Sequence, residues 1–276
     1  MQFEELTSLG LARPEGREAR FRAGVVRLKD LGDPTGAKVD FQILLSSGLT
    51  RIGDQEVGLW LGDCYVMEGD LDSAQQSYVR AISRQRGQRD VIPAILNMRL
   101  ARVALWFGEF QRAADLLDQV VKGKPDDETV NNALIWSMFL SAARRDSAAL
   151  AIFASGDMLS FKGEHEQALV KFQEAREIAP KGRVAQESLF RLALELRAMG
   201  QASAAVDSLK GFLELYPSST QRDDAMFLVG DILEKDLRDI PAAIEQYEEL
   251  LIESPGGMHM EESRRRIREL EAFRQT

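Results

Sequence analysis

An all-α solenoid of stacked helix pairs is the fold class this sequence predicts. Three observations carry that expectation. One pattern of small and apolar residues recurs six times. A single Gly recurs at the turn inside five of the six copies: Gly32, Gly69, Gly108, Gly163 and Gly200. Only 8 prolines interrupt a chain of 276 residues rich in Leu, Ala, Glu and Arg.

The recurring unit is a small or apolar pair, then a Gly, then an Ala five residues on, with apolar residues four and seven beyond the Ala. The first copy reads Phe21…Gly24-Val25…Leu28…Gly32…Ala37…Phe41…Leu44. The second reads Leu61-Gly62…Tyr65…Gly69…Ala74…Tyr78…Ala81 and the third Leu100-Ala101…Ala104…Gly108…Ala113…Leu117…Val120…Pro125. The fourth reads Ser155-Gly156…Leu159…Gly163…Ala168…Phe172…Ala175…Pro180. The fifth reads Leu192-Ala193…Leu196…Gly200…Ala205…Leu209…Phe212…Pro217. The sixth, with a turn one residue longer, reads Val229-Gly230…Leu233…Ala243…Tyr247…Leu250…Pro255.

Each position has a physical reason. Apolar spacing of three and four makes each copy two short amphipathic helices. The small residue of the first helix and the Ala of the second let two helix backbones approach closely. The intervening Gly ends the first helix in a conformation other residues resist. Pro stops the second.

This pattern resembles the tetratricopeptide repeat (TPR), and the resemblance covers residues 15–255. It implies a non-enzymatic scaffold that binds a protein partner or peptide. The last two repeats carry a narrower resemblance. Leu215-Tyr216-Pro217-Ser218-Ser219, then Asp224-Ala225…Gly230-Asp231-Ile232-Leu233, is similar to the long-period repeats of bacterial envelope TPR proteins. Among those are the outer-membrane assembly lipoprotein and the periplasmic protein of the Tol–Pal system.

The key alanines are spaced by 37, 39, 55, 37 and 38 residues. The value 55 is one repeat plus about one helix, so a single unpaired helix is expected at 129–144, apolar on most sides and therefore buried, the alternative being a whole degenerate repeat that overlaps the next. The expected organisation is an N-terminal extension 1–14, a first arm of three repeats 15–125, a junction helix 126–145, a second arm of three repeats 146–255 and a capping helix within 256–276. That makes about 14 helices. The cap, polar on one side, suits a solenoid end.

Charge and composition narrow the function. The net charge is −9. Residues 1–125 carry 17 basic and 17 acidic side chains, whereas 126–276 carry 18 and 27, so the whole excess lies in the second part. An acidic chain is a poor nonspecific binder of nucleic acid, and none is expected as partner. One Cys, Cys64, permits neither an intrachain disulfide nor a multi-Cys zinc site and reads as a buried structural thiol. The two histidines, His165 and His259, lie in turns without the convergent partners a metal needs. No catalytic set, cofactor or metal site is expected. Arg84, Arg86 and Arg89 form a basic cluster that suits an acidic contact. The charges of the cap read as a solvated, self-paired face. No signal sequence or membrane span is apparent. As written the chain reads as cytoplasmic, or as periplasmic if its start is trimmed.

In a curved stack the first helix of each pair lines the concave side. Residues there that do not build the repeat core are expected to meet the partner. Met98, Trp106, Phe153, Phe161 and Phe190, with Leu59, would be apolar anchors. Asp63, Arg102, Asp157, Arg197 and Arg22 would set register. The competing expectation is that superhelical winding buries these side chains. A homo-oligomer formed through terminal helices is the alternative partner.

Overall fold

The computed structural model describes residues 11–47, 53–83, 91–123 and 126–274. Within them lie fourteen α-helices and one 3-10 turn. In chain order these are α1 (Pro14–Lys29), α2 (Pro34–Ser47), α3 (Asp54–Glu68), α4 (Leu71–Ser83), α5 (Val91–Trp106), α6 (Phe110–Gly123) and α7 (Asp127–Ala143). After the turn Arg144–Asp146 come α8 (Ser147–Phe161), α9 (His165–Ile178), α10 (Arg183–Ala198), α11 (Ala202–Leu215), α12 (Arg222–Lys235), α13 (Ile240–Glu253) and α14 (Met260–Arg274). The helices form two compact units, Met1–Ser141 and Ala142–Thr276. The basic cluster Arg84–Arg89 and Pro125 lie outside the described residues.

The recurring alanines explain the pairing. Ala37, Ala74, Ala113, Ala168, Ala205 and Ala243 are all fully buried. So are the side chains four residues on, Phe41, Tyr78, Leu117, Phe172, Leu209 and Tyr247, at no more than 2% exposure. Facing them is the small residue of the first helix. A Cβ on Gly230 would stand 2.6 Å from the Tyr247 ring, on Gly24 2.8 Å from Phe41, and on Gly156 2.9 Å from Phe172. The aromatic ring thus occupies the space that a glycine side chain leaves free.

Five of the six turns within repeats carry a left-handed glycine. Gly32, Gly69, Gly108, Gly163 and Gly200 all adopt left-handed backbone, φ between 61° and 83°. At Gly69 the chain closes with Gly69 N donating to Val66 O and Asp70 N to Tyr65 O, both 2.9 Å. These bonds satisfy carbonyls that the helix end leaves free. The next residue then caps the following helix: Asp70 Oδ1 accepts from Ser73 N at 3.0 Å. Hydrogen bonds from the Ser73 hydroxyl and amide hold the Asp70 carboxyl below its ordinary range.

The longer sixth turn turns out to match the first. Lys29-Asp30-Leu31-Gly32-Asp33 and Lys235-Asp236-Leu237-Arg238-Asp239 differ at one position only. Their hydrogen bonds correspond, with Leu31 N to Val26 O and Asp33 N to Arg27 O in one, and Leu237 N to Ile232 O and Asp239 N to Leu233 O in the other. Arg238 therefore takes the left-handed conformation, φ 58°, that Gly32 takes freely. Left-handed backbone costs a non-glycine residue roughly 1–2 kcal/mol, and glycine's extra freedom when unfolded offsets roughly 0.5–1 of that. Arg238→Gly is expected to stabilise the second unit by about 1 kcal/mol or less. Calorimetry should show a raised transition, and a lowered one would rule out strain at Arg238.

One helix, α7, lies between α6 and α8, and it is not buried on most sides. Ala133, Phe139, Leu140 and Ala143 face inward, while Leu134 and Met138 are exposed. An apolar composition made the helix look buried all round, yet its inward face is narrow. The cap α14 buries Leu270 and rests Ile267 against Ala243, Ile244 and Tyr247. Its charges are only partly self-paired. Arg264 and Arg265 bridge Glu261 and Glu262, but Arg266 reaches back to Glu234 of α12. Among the described residues no helix is long and apolar enough to cross a membrane.

Candidate functional site: the first-helix faces

The expected contact residues separate into three groups. Leu59 and Phe153 are buried, and Phe153 packs its ring 5.2 Å from Phe172. Asp63 and Asp157 are also buried. The expectation that these four side chains meet a partner is corrected by their packing: the stack itself uses them. Arg22 is 68% exposed and pairs with Glu18, one turn away on its own helix. Met98, Arg102, Trp106, Phe161, Phe190 and Arg197 are half-buried.

The carboxylates show what the buried polar positions do. Asp63 directly follows Gly62, so it sits beside the glycine that admits Tyr78. Its Oδ1 accepts from the Tyr78 hydroxyl at 2.6 Å. It also accepts both Arg99 Nε, at 2.9 Å, and Arg99 Nη2, at 3.1 Å, from the first helix of the next repeat. Burial and then the charge of Asp63 push the Tyr78 hydroxyl well above its ordinary range. A two-pronged arginine on a carboxylate is a strong and directional pairing.

The same device recurs in the second unit. Asp157 follows Gly156, and Arg191 of the next first helix lies in its field. Burial works to lower the Arg191 pKa, but the carboxylates of Glu187, Asp157 and Glu195 outweigh it and hold the guanidinium charged. Asp231 follows Gly230 and accepts from Arg197 Nη2 at 2.7 Å, while Arg197 Nε reaches Asp236 at 2.7 Å. Burial pushes the Asp231 carboxyl up, yet the hydrogen bonds and charges of Lys235 and Arg197 overcome this and hold it low. The Tyr247 hydroxyl meets Glu234 at 3.1 Å, and Arg266 Nε donates to the same carboxylate at 3.0 Å.

Sequence reasoning missed Arg99, Arg191 and Arg266 as structural groups. For two of them the signal was available: Asp63 and Asp157 each stand immediately after a close-contact Gly, with Arg99 and Arg191 36 and 34 residues later, whereas Arg266 pairs with Glu234 outside that pattern.

The turn histidines are structural. His165 Nδ1 lies 2.7 Å from Glu195 Oε2, while the other oxygen of that carboxylate, Oε1, accepts from the Ser160 hydroxyl at 2.6 Å. His259 stacks on Phe227 at 4.4 Å and sets Nε2 2.7 Å from Asp224. No cluster that could hold a metal occurs among the described residues. Cys64 is buried, and that burial, with Asp63 alongside, pushes its thiol up to about 12, so it stays protonated and unreactive.

What faces outward on the first helices is an apolar and cationic set in the first unit. The Arg102 guanidinium lies 5.4 Å over the Trp106 ring, and the Lys29 ammonium lies 4.7 Å over Trp60. Met98 and Arg102 open onto a shallow crease with Ala101, Leu105, Leu117, Trp136 and Leu140. In the second unit Phe190 is half-buried against Phe212, ring centroids 5.6 Å apart.

A solenoid of helix-pair repeats is the class these features define. The tetratricopeptide-repeat family model matches residues 61–128 and 190–257. The chain therefore carries tetratricopeptide repeats in a TPR-type α-solenoid, a fold that generally mediates protein–protein interaction. No curated protein matches it.

Among solved structures it is similar to the Cut9–Hcn1 assembly of the APC/C, at 15% identity and TM-score 0.40, over 98% of this chain and 45% of that one. The chain thus spans less than half the length of that relative. It is also similar to the TPR2AB domain in the pHSP90 complex of yeast Sti1, at 12% identity and TM-score 0.40, over 92% and 98%. A TPR protein from Parabacteroides merdae matches at 15% identity and TM-score 0.36, over 92% and 98%.

Proposed function

We propose that this chain is a non-enzymatic adaptor that binds an extended or helical segment of a protein partner on the first-helix face of its first unit. One observation carries the reading. Met98, Arg102 and Trp106 stand half-buried on a single face of α5, with Arg102 held over the indole beside an apolar crease. Trp and Arg are the residue types that most often dominate binding energy, because each combines a large apolar area with a directional polar group. The buried carboxylates keep the adjacent first helices in register, so the face is presented rigidly. The half-buried Phe161 and Phe190 give the second unit a candidate face of its own. Kinship of the last repeats to bacterial envelope proteins belongs to this proposal and rests on residues 215–219 and 224–233.

The test is peptide selection on the purified chain, followed by affinity measurement with variants. Trp106→Ala should weaken the selected peptides by about 2 kcal/mol or more, roughly thirtyfold, and Arg102→Glu by a similar factor. Far-UV ellipticity should be unchanged in both. Undiminished affinity in both variants would remove this face from the function.

A further inference from the structure

The second unit carries a groove on its opposite, second-helix side. It runs between α11 and α13 with α12 as its floor, and its volume is about 830 Å³. Its apolar lining is Leu213 on the α11 wall and Met226 and Leu233 on the α12 floor. Ile252 stands on the wall at 80% exposure. On α13 the lining runs from Ala242 to Glu253. That is about 16 Å at 1.5 Å per residue, enough to hold two to three turns of a helix.

The rim is acidic. Glu214, Glu245, Glu248, Glu249 and Glu253 line it against only Lys210 and Arg222. Arg222 is already committed to Glu253, with Nε 3.1 Å away. Glu245, Glu248 and Glu249 stand at three- and four-residue spacings on one helix face. Like charges in that arrangement repel and weaken the helix that bears them. The corresponding groove of the first unit, between α2 and α4 over α3, is smaller at about 330 Å³. Its charged lining is one Asp54 and one Arg80 among serines and glutamines. The groove architecture is thus shared by the repeats, and the charge belongs to this one.

We propose that this groove docks a lysine- or arginine-rich amphipathic helix of a partner protein. The apolar stripe of such a helix covers Leu213, Leu233 and Ile252. Its cations neutralise the unpaired carboxylates of Glu214, Glu245 and Glu248. The surface is separate from the first-helix face, so one chain can hold two partners at once.

The probe is a 14-residue synthetic peptide with leucines at helical spacing and lysines on its flanks. Binding to the full chain is read by fluorescence anisotropy. A control peptide has the same composition in an order that breaks the stripe. The native chain should prefer the striped peptide, and the Glu245→Lys/Glu248→Lys variant should bind it about tenfold more weakly. The same variant should unfold at equal or higher temperature than the parent, since it removes repulsion on α13. Trp106→Ala should bind the peptide as the parent does. Equal binding of both peptides would reduce the effect to bulk charge and overturn the proposal. Undiminished binding by the lysine variant, loss of binding in Trp106→Ala, or no binding by the parent would overturn it too. A concentration-dependent dimer that the lysine variant abolishes would assign the groove to a second copy instead.

Discussion

Replacing Arg99 with alanine is expected to destabilise the first unit by about 3–5 kcal/mol. Asp63 is buried, and its two oxygens are satisfied by Tyr78 and by both prongs of Arg99. Without the guanidinium a buried carboxylate keeps a single neutral donor. Removing one partner of such a pair is far more costly than the net value of the pair, because the remaining charge stays out of water. Tyr78→Phe should cost only about 1–2 kcal/mol, since Arg99 still neutralises the carboxylate. The experiment has a convenient reporter. All three tryptophans, Trp60, Trp106 and Trp136, lie in the first unit, so indole fluorescence during urea unfolding reads that unit alone. Losing less for Arg99→Ala than for Tyr78→Phe would show that the ion pair is not what joins these repeats.

A single methyl group should have the second-largest effect. Gly62→Ala is expected to cost about 2–3 kcal/mol although alanine is the better helix former. The added Cβ would lie inside the Tyr78 ring, which is fully buried and tethered to Asp63 and so cannot retreat. Overpacking costs roughly 1–3 kcal/mol and more where the neighbour cannot move, as with this tethered ring, and it outweighs the gain in helix propensity of about 1. Gly211 on α11 is the control. A Cβ there meets nothing within 4 Å, so Gly211→Ala should stabilise the second unit by up to about 1 kcal/mol. The two substitutions are chemically identical and their signs are opposite. Tryptophan fluorescence follows the first and calorimetry the second. Equal signs would contradict the close-approach role of Gly62.

The six alanines show how much was legible before any coordinates. Ala37, Ala74, Ala113, Ala168, Ala205 and Ala243 were placed by offset alone, and each is fully buried at a helix–helix contact. The extra helix α7 was legible from the 55-residue interval. Its exposure was not, because apolar composition does not say how wide a face the neighbours cover. The contact residues were legible only as a face. Asp63, Asp157 and Arg197 have the same sequence environment whether they point at a partner or at the next repeat.

The sequence by itself thus determined the helix pairs, their close contacts and their turns. These depend on neighbours within a few dozen residues and on steric demands that one residue type meets. Even Arg238 is marked in the sequence, by standing where its sister turn has Gly32. Only the tertiary structure decided which charges are spent inside the stack. That depends on whether an arginine about 35 residues away swings toward the carboxylate. It also decided that five glutamates of the second half come together along one groove. The volume between two second helices is set by how they pack on a third, which no local pattern encodes.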